Sequence, residues 1–135
     1  VDDRRAIAEA VRCTDVGGHV VIYAPNRLYP METHGFYFRG NYHFRLLPLV
    51  NYLPDPLRNH FCPHVRVYTG RGIRELFTGL QVRFTTSTHI YPGLDNVAAR
   101  RPALGGFLQK TTDVLEKTPL RALGISHFVV AQRLA

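Results

Sequence analysis

Cysteine is scarce in this chain of 135 residues, which has only Cys13 and Cys62. The two lie far apart and fit no metal or redox spacing, which argues against a disulfide scaffold. They read as buried thiols in a reducing compartment, so a cytoplasmic location is expected. Long apolar runs are missing as well. Nothing approaches the roughly 18 residues of a membrane span, and the start carries no signal-peptide pattern. Acidic residues are few, 10 against 17 Lys and Arg, for a formal charge of +7. That excess suits nucleic acid, an anionic membrane surface or an acidic substrate. A solvated surface is the plainer account of it, because the arginines are scattered. There is no internal repeat or low-complexity segment, and 45% hydrophobic with 11% aromatic residues is a globular composition, not a disordered one. The length suits one domain at most. The chain also opens at Val1 directly on a helical pattern with no strand ahead of it. An α/β unit normally has strands there, so the chain is expected to be a piece of a larger unit.

What is present is organised around Val20-Val21-Ile22-Tyr23-Ala24-Pro25-Asn26. A short apolar run bounded by turn residues predicts a strand buried on both faces, as in a parallel sheet covered by helices. Before it, Asp2 to Arg12 has helical spacing, with Ile7 and Val11 four apart and acids at the amino end, where the helix dipole favours them. Gly17-Gly18 turns the chain. The loop leaving the strand's carboxyl end, Asn26 to Gly35, is the first place to look for function, since ligands of open α/β sheets bind at that end.

Residues 27–64 show no sustained period. Five prolines break them up and aromatics are dense, with a short helix or two expected over 46–54. So long a connection is usually a lid or a binding segment. After an extended piece at Val65 to Tyr68, Thr69 is expected to cap a helix whose Ile73, Leu76, Phe77 and Leu80 make a core-facing stripe. Val82 to Ile90 predicts a strand. Leu104, Phe107, Leu108, Thr111 and Leu115 predict a second amphipathic helix, Pro119 ends it, and a last strand runs over 125–132.

This order of elements resembles the carboxyl-terminal half of a class I S-adenosylmethionine-dependent methyltransferase, of the methyltransferase type 11-like kind. The resemblance rests on the helix into Gly17-Gly18, the strand ending in Pro25-Asn26-Arg27 and the Glu32-Thr33-His34-Gly35 loop. It continues through Arg66-Val67-Tyr68-Thr69 ahead of a helix, and Ser126 to Ala131 as the last strand. It implies an α/β fold: half of a Rossmann-like sheet with its last strand antiparallel between its neighbours and a substrate-side insertion over 27–64. Residues 1–135 would form a single partial domain. The family's glycine-rich loop and the acidic residue ending its second strand are not in the chain, so S-adenosylmethionine would be bound mainly by elements outside it. Gly70-x-Gly72 and Gly105-Gly106 are no substitutes, because neither follows a strand into a cofactor-facing turn. The chain alone is expected to be catalytically silent, with the amino-terminal half of the domain as its partner.

Methyl transfer asks the protein to orient an acceptor, exclude water and in some cases remove a proton. His34 is the candidate base and Glu32, two residues away, its orienting partner. Against this, the plainer reading of His34 is a loop histidine satisfying backbone groups, and Glu32 reads equally as an ion-pair partner of Arg27. Asn26, Arg27, Tyr29, Tyr37, Arg66 and Tyr68 are the candidate acceptor-binding residues. Asn26 reads also as a turn residue and the aromatics as core filler. His60, Cys62 and His64 invite a zinc reading, but a fourth ligand is missing and no metal is expected. The leading expectation is a methyltransferase acting on a small-molecule acceptor. A nucleic-acid-modifying methyltransferase and a non-catalytic scaffold subunit of the same fold are the alternatives.

Overall fold

The computed structural model describes residues 2–135. Helix α1 (Asp3–Cys13) begins where the Asp2 side chain accepts a hydrogen bond from the Arg5 amide, and Asp3 adds a negative charge to its first turn. Gly17 then adopts φ +84°, and its amide donates to the Arg133 carbonyl at 2.8 Å. That left-handed residue lets the chain reverse into strand β1 (His19–Pro25).

The insertion follows. It holds two small antiparallel ladders: β2 (Met31–Glu32) pairs with β5 (Leu47–Pro48), and β3 (Phe36–Phe38) pairs with β4 (Asn41–His43). A 3-10 turn (Val50–Tyr52) and helix α2 (Asp55–Phe61) complete it. The 3-10 turn falls inside the 46–54 stretch where a short helix is expected, α2 begins just after it, and the segment also holds extended pairs.

Helix α3 (Gly70–Leu76) starts at Thr69, whose hydroxyl accepts from the Gly72 amide at 3.0 Å, as its sequence position predicts. Strand β6 (Val82–Ile90), helix α4 (Asp95–Arg100), helix α5 (Pro102–Glu116), a second 3-10 turn (Pro119–Leu123) and strand β7 (Ser126–Arg133) finish the chain. Helix α4 has no counterpart in the sequence reading. It packs so close to α5 that a Cβ on Gly105 would lie 2.3 Å from the Ala98 Cα, and Gly105 is what permits the crossing.

The main sheet has the order β1-β7-β6, with β7 antiparallel to both neighbours. The fold is thus mixed α/β with a small antiparallel sheet, and the last strand sits in the middle as expected. Val11, Val20, Ala24, Ile73, Phe77, Val129 and Ala131 form one core, with α1 and α3 against a single face of the sheet. The expectation that β1 is buried on both faces is corrected. Val21 is 59% and Tyr23 61% exposed, because nothing among the described residues covers the opposite face. The register places Val21 beside Val130 and Tyr23 beside Phe128 on that bare side. Nor, among the described residues, does β1 have a parallel strand partner; an isolated parallel bridge joins Asn26, just past its end, to Tyr68. The amphipathic stripe of α5 is likewise uncovered, with Phe107 67% exposed. Among the described residues no helix is long and apolar enough to cross a membrane.

Candidate functional site

The chain leaves β1 at its carboxyl end and enters a polar knot. Glu32 and Arg58 are each 98% buried, with relative exposure of 2%, and Arg58 Nη2 donates to Glu32 Oε2 at 3.1 Å. Charges so far from water are tolerated only when paired and fully hydrogen-bonded. Both conditions are met. Arg58 Nε donates to Asn51 Oδ1 at 3.2 Å and Nη1 to the Val65 carbonyl at 2.7 Å. Asn51 in turn donates to the carbonyl of Tyr29 at 3.1 Å, tying the 3-10 turn to the start of the loop.

Glu32 Oε1 is surrounded by donors from the residues that follow it. The amides of Thr33 and His34 each donate at 2.9 Å, and His34 Nδ1 lies 2.8 Å away. A carboxylate holding Arg58 and two amides is an acceptor, so the His34 proton belongs on Nδ1 and the lone pair on Nε2. The His34 carbonyl is held by the Tyr42 hydroxyl at 2.6 Å and by His64 Nε2 at 3.2 Å. Gly35, at φ +84°, is needed there, because a Cβ would lie 2.5 Å from the Tyr42 hydroxyl oxygen. The result is a half-exposed imidazole on a rigid backbone, oriented by a buried carboxylate.

His34 lines a cleft of about 450 Å³ between the loop, β1 and α1, with His64, Arg66, Tyr68, Asp3 and Tyr23 among its walls. The cleft's polar side is an ordered cluster. Tyr68 donates its hydroxyl to Asp3 Oδ2 at 2.5 Å, and Arg66 pairs with the other Asp3 oxygen. Burial, with the neighbouring Asp3 carboxylate adding to it, pushes the Tyr68 hydroxyl up to about 12. The hydrogen bond from Arg66 holds the Asp3 carboxyl below its ordinary value. Arg66 and Tyr68 thus line the cleft, already engaged with α1 through Asp3.

The other candidates part company. Asn26 is buried, its amide nitrogen donating to the carbonyls of Ala122 and Gly124 at 2.7 Å each while its oxygen accepts from the Leu28 amide. No amide hydrogen is left for an acceptor, so its role is to turn the chain and tie it to the segment before β7. Arg27 does not meet Glu32; it pairs with Asp55 and donates to the Leu53 carbonyl at 2.9 Å, fastening α2 to the end of β1. Asp55 is nearer the Arg27 side of the loop, and Glu32 is already held by Arg58. Tyr29 does not line the cleft but a small neighbouring hollow that it shares with Asn26, Met31, Glu32 and His34, its hydroxyl pushed up mainly by burial. Tyr37 packs edge-on against His64 with ring centroids 5.6 Å apart, one ring removed from His34. His60, Cys62 and His64 turn to separate partners: the Phe61 ring, the Gly35 carbonyl and the His34 carbonyl.

Arg58 and Asn51 are the residues that sequence reasoning missed. Arg58 is 26 residues from Glu32 in a stretch with no period, and an arginine on a seven-residue helix reads as surface. The one available signal was that Glu32 needs a cation if it is buried.

No protein-family model matches this chain, and no match was found among curated proteins or among solved structures.

Proposed function

We propose that this chain is the acceptor side of an S-adenosylmethionine-dependent methyltransferase domain acting on a small molecule, with His34 as the base and Glu32 as the group that orients it. The observation carrying this reading is the Glu32–His34 hydrogen bond of 2.8 Å at the mouth of a cleft beside β1, with a buried arginine behind it. The central antiparallel β7 adds support, since it is the strand arrangement that the resemblance implies.

The described glycines do not form a cofactor cradle. Gly105 is packed on Ala98, and Gly72 belongs to the Thr69 cap. Residues outside this chain would bind the methyl donor, whose contribution is an electrophilic sulfonium carbon. This chain's part is local. The cleft seats the acceptor, with Arg66 and Tyr68 available to a polar group that displaces Asp3. His34 Nε2 takes the acceptor's proton, and Glu32 steadies the resulting imidazolium through Nδ1–H. The buried apolar floor made by Ala24 and Ile73 keeps water from one side of the reacting groups.

The test is transfer of a labelled methyl group by the complete encoded protein to a panel of hydroxyl, amine and carbon acids. His34→Ala is expected to lower kcat by about 10²–10⁴, the usual contribution of a positioned base. Unchanged turnover in a folded His34→Ala protein would remove the base from the proposal. A complete protein with no affinity for S-adenosylmethionine would leave the scaffold reading in its place.

A further inference from the structure

On another part of the insertion lies a second concavity, of about 460 Å³, bounded by β3, β5, the first 3-10 turn and α2. Its volume falls within the ~300–1,000 Å³ of small-molecule sites. Its lining is Phe36, Phe38, Leu47, Leu49, Val50 and Leu53, with Pro48 and Phe61 completing it, and no side chain among them carries a polar atom. A ligand with hydrogen-bonding groups along its length would lose its hydration there and gain no partner. An unbranched or isoprenoid hydrocarbon loses nothing.

The segment that supplies all of the lining but Phe61 carries one sign of charge. From Thr33 to Pro54 the chain contains no Asp or Glu, while Arg39 and Arg45 are both present and exposed. The Arg39 guanidinium stands 5.5 Å from the centroid of Phe38, a wall of the groove, and Arg45 is two residues before Leu47, another wall. The two bordering acids are committed elsewhere, Glu32 to Arg58 and Asp55 to Arg27. Arg39 and Arg45 are paired with no carboxylate among the described residues. The backbone also departs from ordinary angles here. Leu49 is held at φ +61° and Arg39 at φ +49°, in the left-handed region that non-glycine residues avoid. Leu49 keeps that conformation with its amide donating to the Pro30 carbonyl at 2.7 Å, and its side chain stands at the groove's edge, 60% exposed.

We infer that this groove binds the hydrocarbon chain of a single anionic amphiphile, its carboxylate or phosphate head meeting Arg39 and Arg45. The walls select the chain and the arginines select the head. This site is separate from the His34 cleft, and its occupancy does not depend on methyl transfer.

The test uses the full chain and straight-chain carboxylates of 8 to 12 carbons below their critical micelle concentrations, followed by calorimetry. Each added methylene is expected to tighten binding about fourfold until the groove is full. Dodecyltrimethylammonium, with a chain of the same length and a positive head, is expected to bind at least tenfold more weakly than dodecanoate. Leu53→Trp fills the groove and abolishes binding, whereas the pair Arg39→Gln and Arg45→Gln removes the preference between the two heads and leaves the chain-length dependence. Leu49→Gly relaxes the left-handed backbone and removes a wall, so it weakens binding without lowering the Tm. Equal affinity for the two heads would overturn the assignment, as would a folded Leu53→Trp protein that binds normally. Binding to phosphatidylserine vesicles with no binding to monomeric dodecanoate would overturn it in favour of a membrane-surface contact.

Discussion

The polar knot under the insertion and the bare face of the sheet are organised by opposite means. Around Glu32 and Arg58 the interior is charged, and every buried side-chain polar atom among the described residues has a partner. On the far side of β1 and β7, Val21 and Tyr23 are apolar or aromatic and stand in the open. The first region gains its definition from directional bonds, which fix one backbone path and so one orientation of His34. The second has the hydrophobicity of an interior and no cover among the described residues. Apolar side chains set side by side on β1 and β7, with Val21 and Tyr23 in the open, form a patch of the kind that marks a contact surface. The contrast separates the two halves of the proposal: the knot builds the base, and the bare face is where helices from the rest of a methyltransferase domain would pack.

The sharpest way to break the comparison is to remove one charge from the knot. Arg58→Met leaves Glu32 buried without its cation and is expected to cost about 3–5 kcal/mol in chemical denaturation, the usual penalty for one orphaned member of a buried pair. The double variant Glu32→Gln with Arg58→Met should recover part of that loss. If it does not, the pair's contribution lies in its links to Asn51 and Val65.

Next in size is the junction between the two regions. Asn26→Ala strips the partners from the Ala122 and Gly124 carbonyls, with an expected loss of about 1–3 kcal/mol for buried acceptors left unsatisfied. An effect confined to acceptor binding, with unchanged stability, would return Asn26 to the list of ligand-binding residues.

On the bare face the expectation reverses. Val21→Thr and Tyr23→Thr should each change stability by less than about 1 kcal/mol, the scale of a cross-strand pair. Their effect should appear in sedimentation, as reduced association of the chain at high concentration. A large loss of stability from either would mean that this face is covered in solution by part of the chain itself.

These regions also differ in how far they were legible in the sequence. The helix into Gly17-Gly18, strands β1, β6 and β7, the Thr69 cap and the Ile73–Phe77 stripe all follow from local chemistry and spacing, and they stand where that spacing puts them. The pairing of Glu32 with His34 was legible because two residues cannot be far apart in a short loop. Arg58 and Asn51 were not, since a hydrogen-bond network has no period and its partners are fixed only by tertiary geometry. Burial of β1 on one face instead of two was invisible for the same reason: an apolar run records what a strand is suited to, and the neighbours decide what it meets.

The smallest expected effect concerns His127 and His89, whose rings lie 4.5 Å apart between the sheet and Tyr68. Burial, first among the causes, holds both imidazoles below their ordinary 6.5, with His127 and Arg121 adding to the effect on His89. A depressed histidine contributes stability that is fully present above the unfolded value and is lost as pH falls through the folded one. The Tm should therefore decline from pH 7 to pH 5 by more in the native protein than in a His89→Asn, His127→Asn variant. Parallel declines would show that these two groups do not titrate on unfolding.

The account depends most on a single proton. Nitrogen-15 NMR of the histidine rings, recorded at neutral pH and assigned through a His34→Gln variant, reports which ring nitrogen carries it. We expect His34 to be the Nδ1–H tautomer, with an unprotonated Nε2 turned to the cleft, and to lose that preference in Glu32→Gln. A His34 protonated on Nε2, or one exchanging freely between tautomers, would contradict the claim that Glu32 and the buried Arg58 set this histidine up as a base.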